Sequence, residues 1–404
     1  MNDKTIVIDC GSLFTKYGII SSNQTVDNET PDSEGLLLPS SFKKDQMILE
    51  TPKYAKSEEL YDDKNYEFPL REGRIQNFSK YIELLRQLIE QYINYPSIQN
   101  VVITEQELSI GREREMMTEI MFEQFNFKNV FLARKPVCAM YEGICNSDFE
   151  KNSTNTDFTG IVLHSGDSYT SATPVYDGYA LFYPYHIKNN FTGKKSDVIT
   201  NFTEDEFKFY QNASIVPVGG FNLLHPVIQV IKKDCKTLEK FEYTQWFESS
   251  QADYERSPFN FYHKTISEVH INKTINISFD TESISKVMFN DQNQNDSSRK
   301  CNIMKIIVNS LIGVDEELKN QLTKNIVLSG GNTSHFGFAY KIRSLSQKKP
   351  DYKIENVIEP KDLANFVIWE GAKRMVNSPN FSSRWATRDE YMENGSCIGQ
   401  MKFF

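Results

Sequence analysis

The sequence predicts an α/β protein of two or three domains, on three observations. Two strand–turn–strand segments with the same glycine turn lie 155 residues apart. The first is Ile6-Val7-Ile8-Asp9-Cys10-Gly11-Ser12 running into a second strand over 14–20. The other is Gly160-Ile161-Val162-Leu163 passing through Ser165-Gly166-Asp167-Ser168 into Tyr169-Thr170-Ser171. A third apolar strand, Ile326-Val327-Leu328-Ser329, meets the pair Gly330-Gly331 ahead of a helix. Each alone is a strand ending in a turn, whereas three in one chain point to an internal repeat. Between the two hairpins helical and strand patterns alternate, as in a sheet with helices on its faces.

A chain of 404 residues exceeds what one core fills. With 39% hydrophobic and 13% aromatic residues it has ample material for burial. A net charge of −9 argues against a general grip on nucleic acid, so no sequence-specific nucleic acid is expected as a partner. Basic pairs such as Lys43-Lys44 and Lys348-Lys349 read as solvated faces. No signal peptide is expected in the opening MNDKTIVID, and no apolar run approaches the ~20 residues a bilayer span needs, so no membrane is expected either. Six cysteines without a C-x-x-C read as free thiols of a reducing compartment, not as a zinc site or a disulfide frame.

In chain order, residues 5–20 form the first hairpin, 22–39 are polar and turn-rich, and 36–41 resume an extended segment. Residues 43–64, charged and aperiodic, form a small lobe or excursion, and 68–75 turn the chain back. A helix is predicted over 79–94 with Ile82, Leu85, Leu88, Ile89 and Tyr92 on one face. A buried strand follows over 101–105. A second helix over 112–125 carries Met117, Ile120, Met121 and Phe125 on one stripe, its methionines filling core. After a strand over 130–133, Pro136 suits the first position of a helix over 137–144. Residues 151–157 are a polar linker, and strands are predicted over 172–176 and 179–182. From 185 to 272 no clear period holds, apart from Gly219-Gly220 and a helix over 223–230. Residues 290–298 are a low-complexity loop, read as mobile. Helices are predicted over 301–312, over 316–322 and after Gly331 to about Ser346. Phe366-Val367-Ile368-Trp369-Glu370-Gly371 reads as strand into helix, and Thr387-Arg388-Asp389-Glu390-Tyr391 opens a last short helix.

A glycine at each bend lets backbone N–H groups face one point, the geometry of an anion nest. Two such turns facing each other across a cleft would clamp a nucleotide's phosphates. Ser12 would hold the anion beside the amides, and Lys16 would add a point charge. Asp9 and Asp167 would face a divalent cation through its waters, with no direct metal ligand. The plainer alternatives are a surface lysine for Lys16, a turn-capping carboxylate for Asp9 and a packed, hydrogen-bonded ring for His164.

The order IVIDCGS, VVITE, MFEQF, GIVLHSGDSYT, YDGYAL, NIVLSGG and a late Trp-x-Gly resembles the actin superfamily over most of the chain, 185–272 being the weak part. The resemblance implies an actin-like fold, two related ribonuclease-H-like lobes around a nucleotide cleft. The first lobe would be 1–142 plus 367–404, with a small subdomain over 40–68. The second would be 143–366, with a divergent subdomain over about 182–300. It also implies ATP or ADP with Mg2+, held by Asp9, Gly11, Ser12, Lys16, Ser165, Gly166, Asp167, Gly330 and Gly331.

The departures from the family pattern concern catalysis. Leu13 stands where the family has a second small residue and backbone must approach phosphate, and Ser168 stands for a glycine. His164 replaces the catalytic aspartate, Ser171 a water-orienting histidine, and Lys135 the glutamine that holds the attacking water. The adenine-side Lys-Glu motif is not recognisable, and Asn365 stands for a late lysine. Phosphoryl transfer depends on placing and polarising the attacking water, so hydrolysis is expected to be lost or very slow. Only 30 residues separate Pro39 from Pro69, too few for the loop that actin inserts into a filament neighbour, so no self-polymerisation is expected.

The C-terminal part resembles most the nuclear actin-related protein 6 subfamily, on Lys324 to Asn332, on Trp369-Glu370-Gly371 and on Thr387 to Gly395. Asp167 departs from that subfamily's pattern. The resemblance implies a nuclear, non-catalytic scaffold subunit of a SRCAP-type chromatin remodeller that exchanges a variant histone. The chain would dock with a zinc-HIT-type subunit, the motor being a separate remodeller ATPase. A cytoskeletal alternative is a dynactin pointed-end subunit, whose first hairpin shares Phe14-Thr15-Lys16. An active sugar-kinase or chaperone-type ATPase is disfavoured by His164, because such enzymes need a carboxylate in the cleft.

Overall fold

Two large β-sheets with helices packed between and around them, and three two-stranded ribbons, are found among the described residues of the computed structural model of the chain. It describes residues 4–21, 35–44, 48–49, 66–93, 98–106, 109, 111–146, 158–181, 215–216, 262–266, 275–279, 289, 302–334, 338–347, 354–360, 364–378 and 381–403. In the first sheet β1 (Lys4–Cys10) and β2 (Phe14–Ser21) form an antiparallel hairpin, with β3 (Leu36–Pro39) beyond β2. On the other side β4 (Ile98–Glu105) lies parallel to β1 and β5 (Asn129–Arg134) parallel to β4, with Ala386–Thr387 at the edge. The second sheet repeats the plan. Its hairpin is β6 (Gly160–Ser165) with β7 (Thr170–Tyr176), flanked by β8 (Tyr179–Ala180). Parallel to β6 come β9 (Asn325–Ser329) and then β10 (Asn356–Ile358).

The hairpins match in detail. Cys10 pairs with Thr15 and Ser165 with Thr170, so each turn has four residues. Each is closed by its glycine, Gly11 N–H donating to Phe14 O at 3.1 Å and Gly166 N–H to Tyr169 O at 3.0 Å. His164 therefore occupies in the second hairpin the place of Asp9 in the first.

Central strands are apolar on both faces because both faces are covered. In the second sheet Ile161 and Leu163 point to one core and Val162 to the other, following the period of two along a strand. Helix α1 (Phe78–Ile93) covers the first sheet with Tyr81, Leu84, Leu85, Leu88 and Ile89. This corrects the predicted face, since Ile82 is only partly buried. Tyr81 and Leu84 complete the i, i+3, i+4 spacing better. Helix α2 (Gly111–Glu119) ends in a π-helical turn, Ile120–Gln124, instead of running on to 125. The extra residue in that turn brings Phe122 into the core and leaves Phe125 at its margin.

Helix α3 (Lys135–Cys145) starts one residue before Pro136. The next helices are α4 (Ile303–Ser310), capped by the Asn302 side chain on Lys305 N–H, and α5 (Glu316–Leu322). A 3₁₀ turn over Gly331–Ser334 precedes α6 (Phe338–Gln347). Helix α7 (Val367–Val376) follows a turn at Phe366, which corrects the expected strand. A short apolar run reads alike as buried strand or buried helix, and here it is the latter.

Helices α3 and α7 cross between the two sheets. Trp369 of α7 is fully buried, and its Nε1 donates to Val7 O of β1 at 3.1 Å. On α3, Gly143 packs against Val327 of β9. The C-terminal segment, α8 (Arg388–Asn394) and α9 (Ile398–Lys402), closes over α2. The expectations for 151–157, 223–230 and 290–298, and for most of 43–64 and 185–272, fall outside the described residues, although Tyr262–Ile266 pairs with Ile275–Phe279. No described helix is long and apolar enough to cross a membrane.

Candidate functional site

Strand direction brings the polar residues together. In parallel sheets the carboxyl ends of the strands form the rim where ligands bind. Here Asp9 near the end of β1, Thr104 of β4 and Lys135 just past β5 share that rim.

Asp9 is buried, 1% exposed. Its Oδ1 accepts from Thr104 Oγ1 at 2.7 Å and lies 3.7 Å from Lys135 Nζ, while its Oδ2 lies 3.3 Å from Lys16 Nζ. Burial pushes the Asp9 carboxyl up, but the charges of Lys16 and Lys135 and the Thr104 hydroxyl outweigh it and hold the group at about 2. Lys135, 4% exposed, donates to Cys10 O at 2.6 Å and to Gln106 Oε1 at 3.4 Å. Gln106 Nε2 also donates to Cys10 O, at 2.9 Å. The Cys10 thiol is pushed up to about 11, mainly by burial, and so stays protonated.

From the second hairpin comes His164. Its Nδ1 is 3.3 Å from Ser329 Oγ, and its ring is tilted against Tyr169 with centroids 5.2 Å apart. Burial, then the charge of Lys135, depress the imidazole to about 3 against the pull of Asp9. At neutral pH the ring is uncharged.

The two turns touch. Ser12 Oγ and Ser168 Oγ are hydrogen-bonded to each other, and Glu72 N–H donates to Ser168 Oγ at 3.0 Å. Gly11 is the one residue its turn allows, since a Cβ there would sit 2.7 Å from Phe14 O. Gly330, at φ +90°, wedges against the second turn, where a Cβ would sit 2.3 Å from Ser165 O.

Of the residues predicted to hold a nucleotide, Asp9, Gly11, Ser12 and Lys16 gather around the first turn, while Gly166 and Asp167 lie in the second and Ser165 ends the strand before it. Gly330 and Gly331 lie against the second turn. Ser165 faces into its own sheet, bonded to Thr170 Oγ1 at 2.8 Å and to Asn332 Nδ2 at 3.0 Å. The picture of glycine amides facing one point is corrected for Gly11 and Gly166, whose N–H groups are spent inside their own turns. Sequence reasoning misses Thr104, Gln106, Glu72 and Asn332 as members of the site, and it meets Ser168 only as a departure from the family pattern. The sequence signal for Thr104 is its place near the end of the buried strand predicted over 101–105. Lys135 was noticed only as a departure, although Pro136 already placed it at a helix start beside the rim.

Chemically the cluster is two ammonium groups on one carboxylate, beside a neutral imidazole and several hydroxyls. Among the described residues no three His, Cys, Asp or Glu side chains converge as metal ligands.

The family model described as Actin matches residues 2–404 of the chain. Centractin of Schizosaccharomyces pombe is 25% identical over 418 aligned positions, which cover 100% of this chain and 98% of that protein. Actin-related protein 3 of Dictyostelium discoideum is 23% identical over 430 positions, covering 97% of this chain and 95% of that protein.

Proposed function

The chain belongs to the actin family, and from that premise we propose that it is a non-catalytic actin-related scaffold subunit of a multi-protein complex. The observation that carries this reading is the pair His164 and Lys135. Hydrolysis of a phosphoanhydride needs a group that positions and polarises water, and carboxylates and amides do this in the family. At the rim stand instead a neutral imidazole bonded toward Ser329 and a buried ammonium already pointed at Cys10 O. An imidazole held at about 3 is a weak base, and an ammonium has no lone pair to take a proton from water. ATP or ADP remains a candidate ligand through Ser12, Lys16 and the second turn, provided Ser12 and Ser168 part to admit it. No self-polymerisation is expected of such a chain.

The complex we favour is a nuclear remodeller of the SRCAP type, which exchanges a variant histone, with a zinc-HIT-type subunit and a remodeller ATPase as partners. Support comes from the segments Trp369-Glu370-Gly371 and Thr387 to Gly395. The second reading is a cytoskeletal actin-related protein, and the family names of the two relatives, each matched over nearly its whole length, speak for it. Affinity purification of the tagged full chain from its own cells, followed by mass spectrometry, separates them. Remodeller subunits are expected, and dynactin subunits in their place would move the assignment to the second reading. A steady-state assay should detect no γ-phosphate release, and turnover abolished by His164→Ala would overturn the non-catalytic reading altogether.

A further inference from the structure

Lys135 is an unusual residue for its place. A lysine is rarely buried unless its charge is met, and a cation at a helix N-terminus opposes the helix dipole. Lys135 is both buried and the first residue of α3. What offsets these two costs is the set of oxygens around Nζ: the Cys10 carbonyl at 2.6 Å, the Gln106 amide oxygen at 3.4 Å and Asp9 Oδ1 at 3.7 Å. The ammonium is hydrogen-bonded to Cys10 O and Gln106 Oε1, and its charge is met by Asp9 Oδ1 at ion-pair distance. A carbonyl, an amide oxygen and a carboxylate are also the donor types a hard divalent cation takes. The remaining faces of Asp9 are claimed as well, Oδ1 by Thr104 and Oδ2 by Lys16.

We infer that the Lys135 ammonium is the resident cation of this cleft, so that Asp9 no longer takes a divalent ion, directly or through its waters. The residues therefore do not fit the Mg2+ that the family implies. Two positive charges already face one carboxylate, and a doubly charged ion brought beside it would be repelled by both. Any anion that enters between the turns would be met by Lys16 instead of by a metal. The inference goes beyond the non-catalytic reading and can fail separately from it.

The test uses the purified full chain and Mn2+ as a paramagnetic probe, with and without ADP. In wild type the amide signals of Cys10, Thr104 and Gln106 should stay sharp when Mn2+ is added. In Lys135→Gln, which keeps a polar side chain but removes the charge, the same three signals should broaden at one Mn2+ per chain. Broadening of these amides in wild type would overturn the inference, whether or not Lys135→Gln folds. So would a folded Lys135→Gln that leaves them sharp. Mn2+ at Asp9 without phosphate release would sink this inference and leave the proposed function standing. Phosphate release with the three amides sharp would do the reverse.

Discussion

The hydroxyl of Ser12 is bonded to that of Ser168, 156 residues further on, and this bond joins the turns of the two hairpins. Ser168 Oγ also accepts from Glu72 N–H, and Glu72 holds a left-handed φ of 55°. Ser168→Ala should therefore destabilise by about 1–2 kcal/mol, since it leaves a backbone donor and a hydroxyl without their partner. Ser12→Ala orphans less and should cost about 0.5–1 kcal/mol. In urea denaturation the two changes should fall short of additivity, because they remove the same bond.

Asp9 ties acid stability to the first turn. Its carboxyl is held at about 2 against an ordinary 3.8, so the folded state keeps it charged where the unfolded chain takes up a proton. The stabilisation is complete above pH 3.8 and is lost as pH falls toward 2. At about 1.4 kcal/mol per pH unit it amounts to about 2 kcal/mol. Asp9→Asn should cost more, about 3–5 kcal/mol, because Lys16 and Lys135 are left buried or half-buried without their counter-charge. Urea midpoints at neutral pH check the substitution, and an acid titration followed by circular dichroism checks the pH window.

His164 acts over a different range. Its imidazole is depressed from 6.5 to about 3, so below pH 6.5 the unfolded chain binds a proton that the native ring refuses. Stability should therefore fall as pH drops from 6.5 toward 3, by up to about 2 kcal/mol at pH 5. His164→Gln, which keeps a polar group toward Ser329, should flatten that part of the profile. An unchanged slope between pH 7.5 and 4.5 would show that the ring is not held neutral.

The parts of the structure legible in the sequence are those fixed locally. The hairpins followed from apolar runs ending at Gly11 and Gly166, and the start of α3 from Pro136. Helix α5 was placed residue for residue, with Glu316 and Glu317 in its first turn. Where burial is two-sided the period vanishes, which is why the run from Phe366 to Gly371 reads as strand into helix. Nothing local marks the π-helical turn at Ile120, because it is fixed from outside, by Arg388 and Tyr391. The candidate site divides the same way. Asp9 and Ser12 stand on a recognisable turn. The oxygens around Lys135 come from β1 and from the residue after β4, and they meet Nζ only once β1, β4 and β5 are side by side.

Arg388 should prove a packing residue. Its Nη2 lies 2.8 Å from Phe122 O, Asn126 Oδ1 and Phe127 O, on the two sides of the π-helical turn's exit. Beside it Thr387 and Glu390 form a capping box, Tyr391 stacks on Phe122, and Tyr391 OH donates to Glu123. Within the Thr387 to Tyr391 segment Tyr391 is buried and Asp389 is exposed, and Met392 just beyond it is 75% exposed. Arg388→Lys removes the guanidinium whose Nη2 makes all three contacts and should cost about 1–3 kcal/mol. Hydrogen exchange should quicken over residues 120–127 and leave β6 and β9 unchanged.

Gly371 allows α7 to touch α3. A Cβ at that position would lie 1.8 Å from Cys138 O, backbone against side chain with no flexible end to give way. Gly371→Ala must therefore push the helices apart, at a cost of about 3 kcal/mol or more, the upper end for overpacking. Ala372→Gly, next along the helix and fully buried, pays mainly helix propensity and should cost about 1 kcal/mol. Comparison of the two by thermal denaturation separates contact from propensity. The consequence reaches the rim, because Lys135 begins the helix that Gly371→Ala would displace. Moving α3 off α7 moves Nζ relative to Cys10 O and Asp9, so a Gly371→Ala chain that still folds should also lose part of the acid resistance that Asp9 confers. Retention of the full wild-type acid profile would mean that the site is positioned by β5 alone and that the helix crossing carries no information to it.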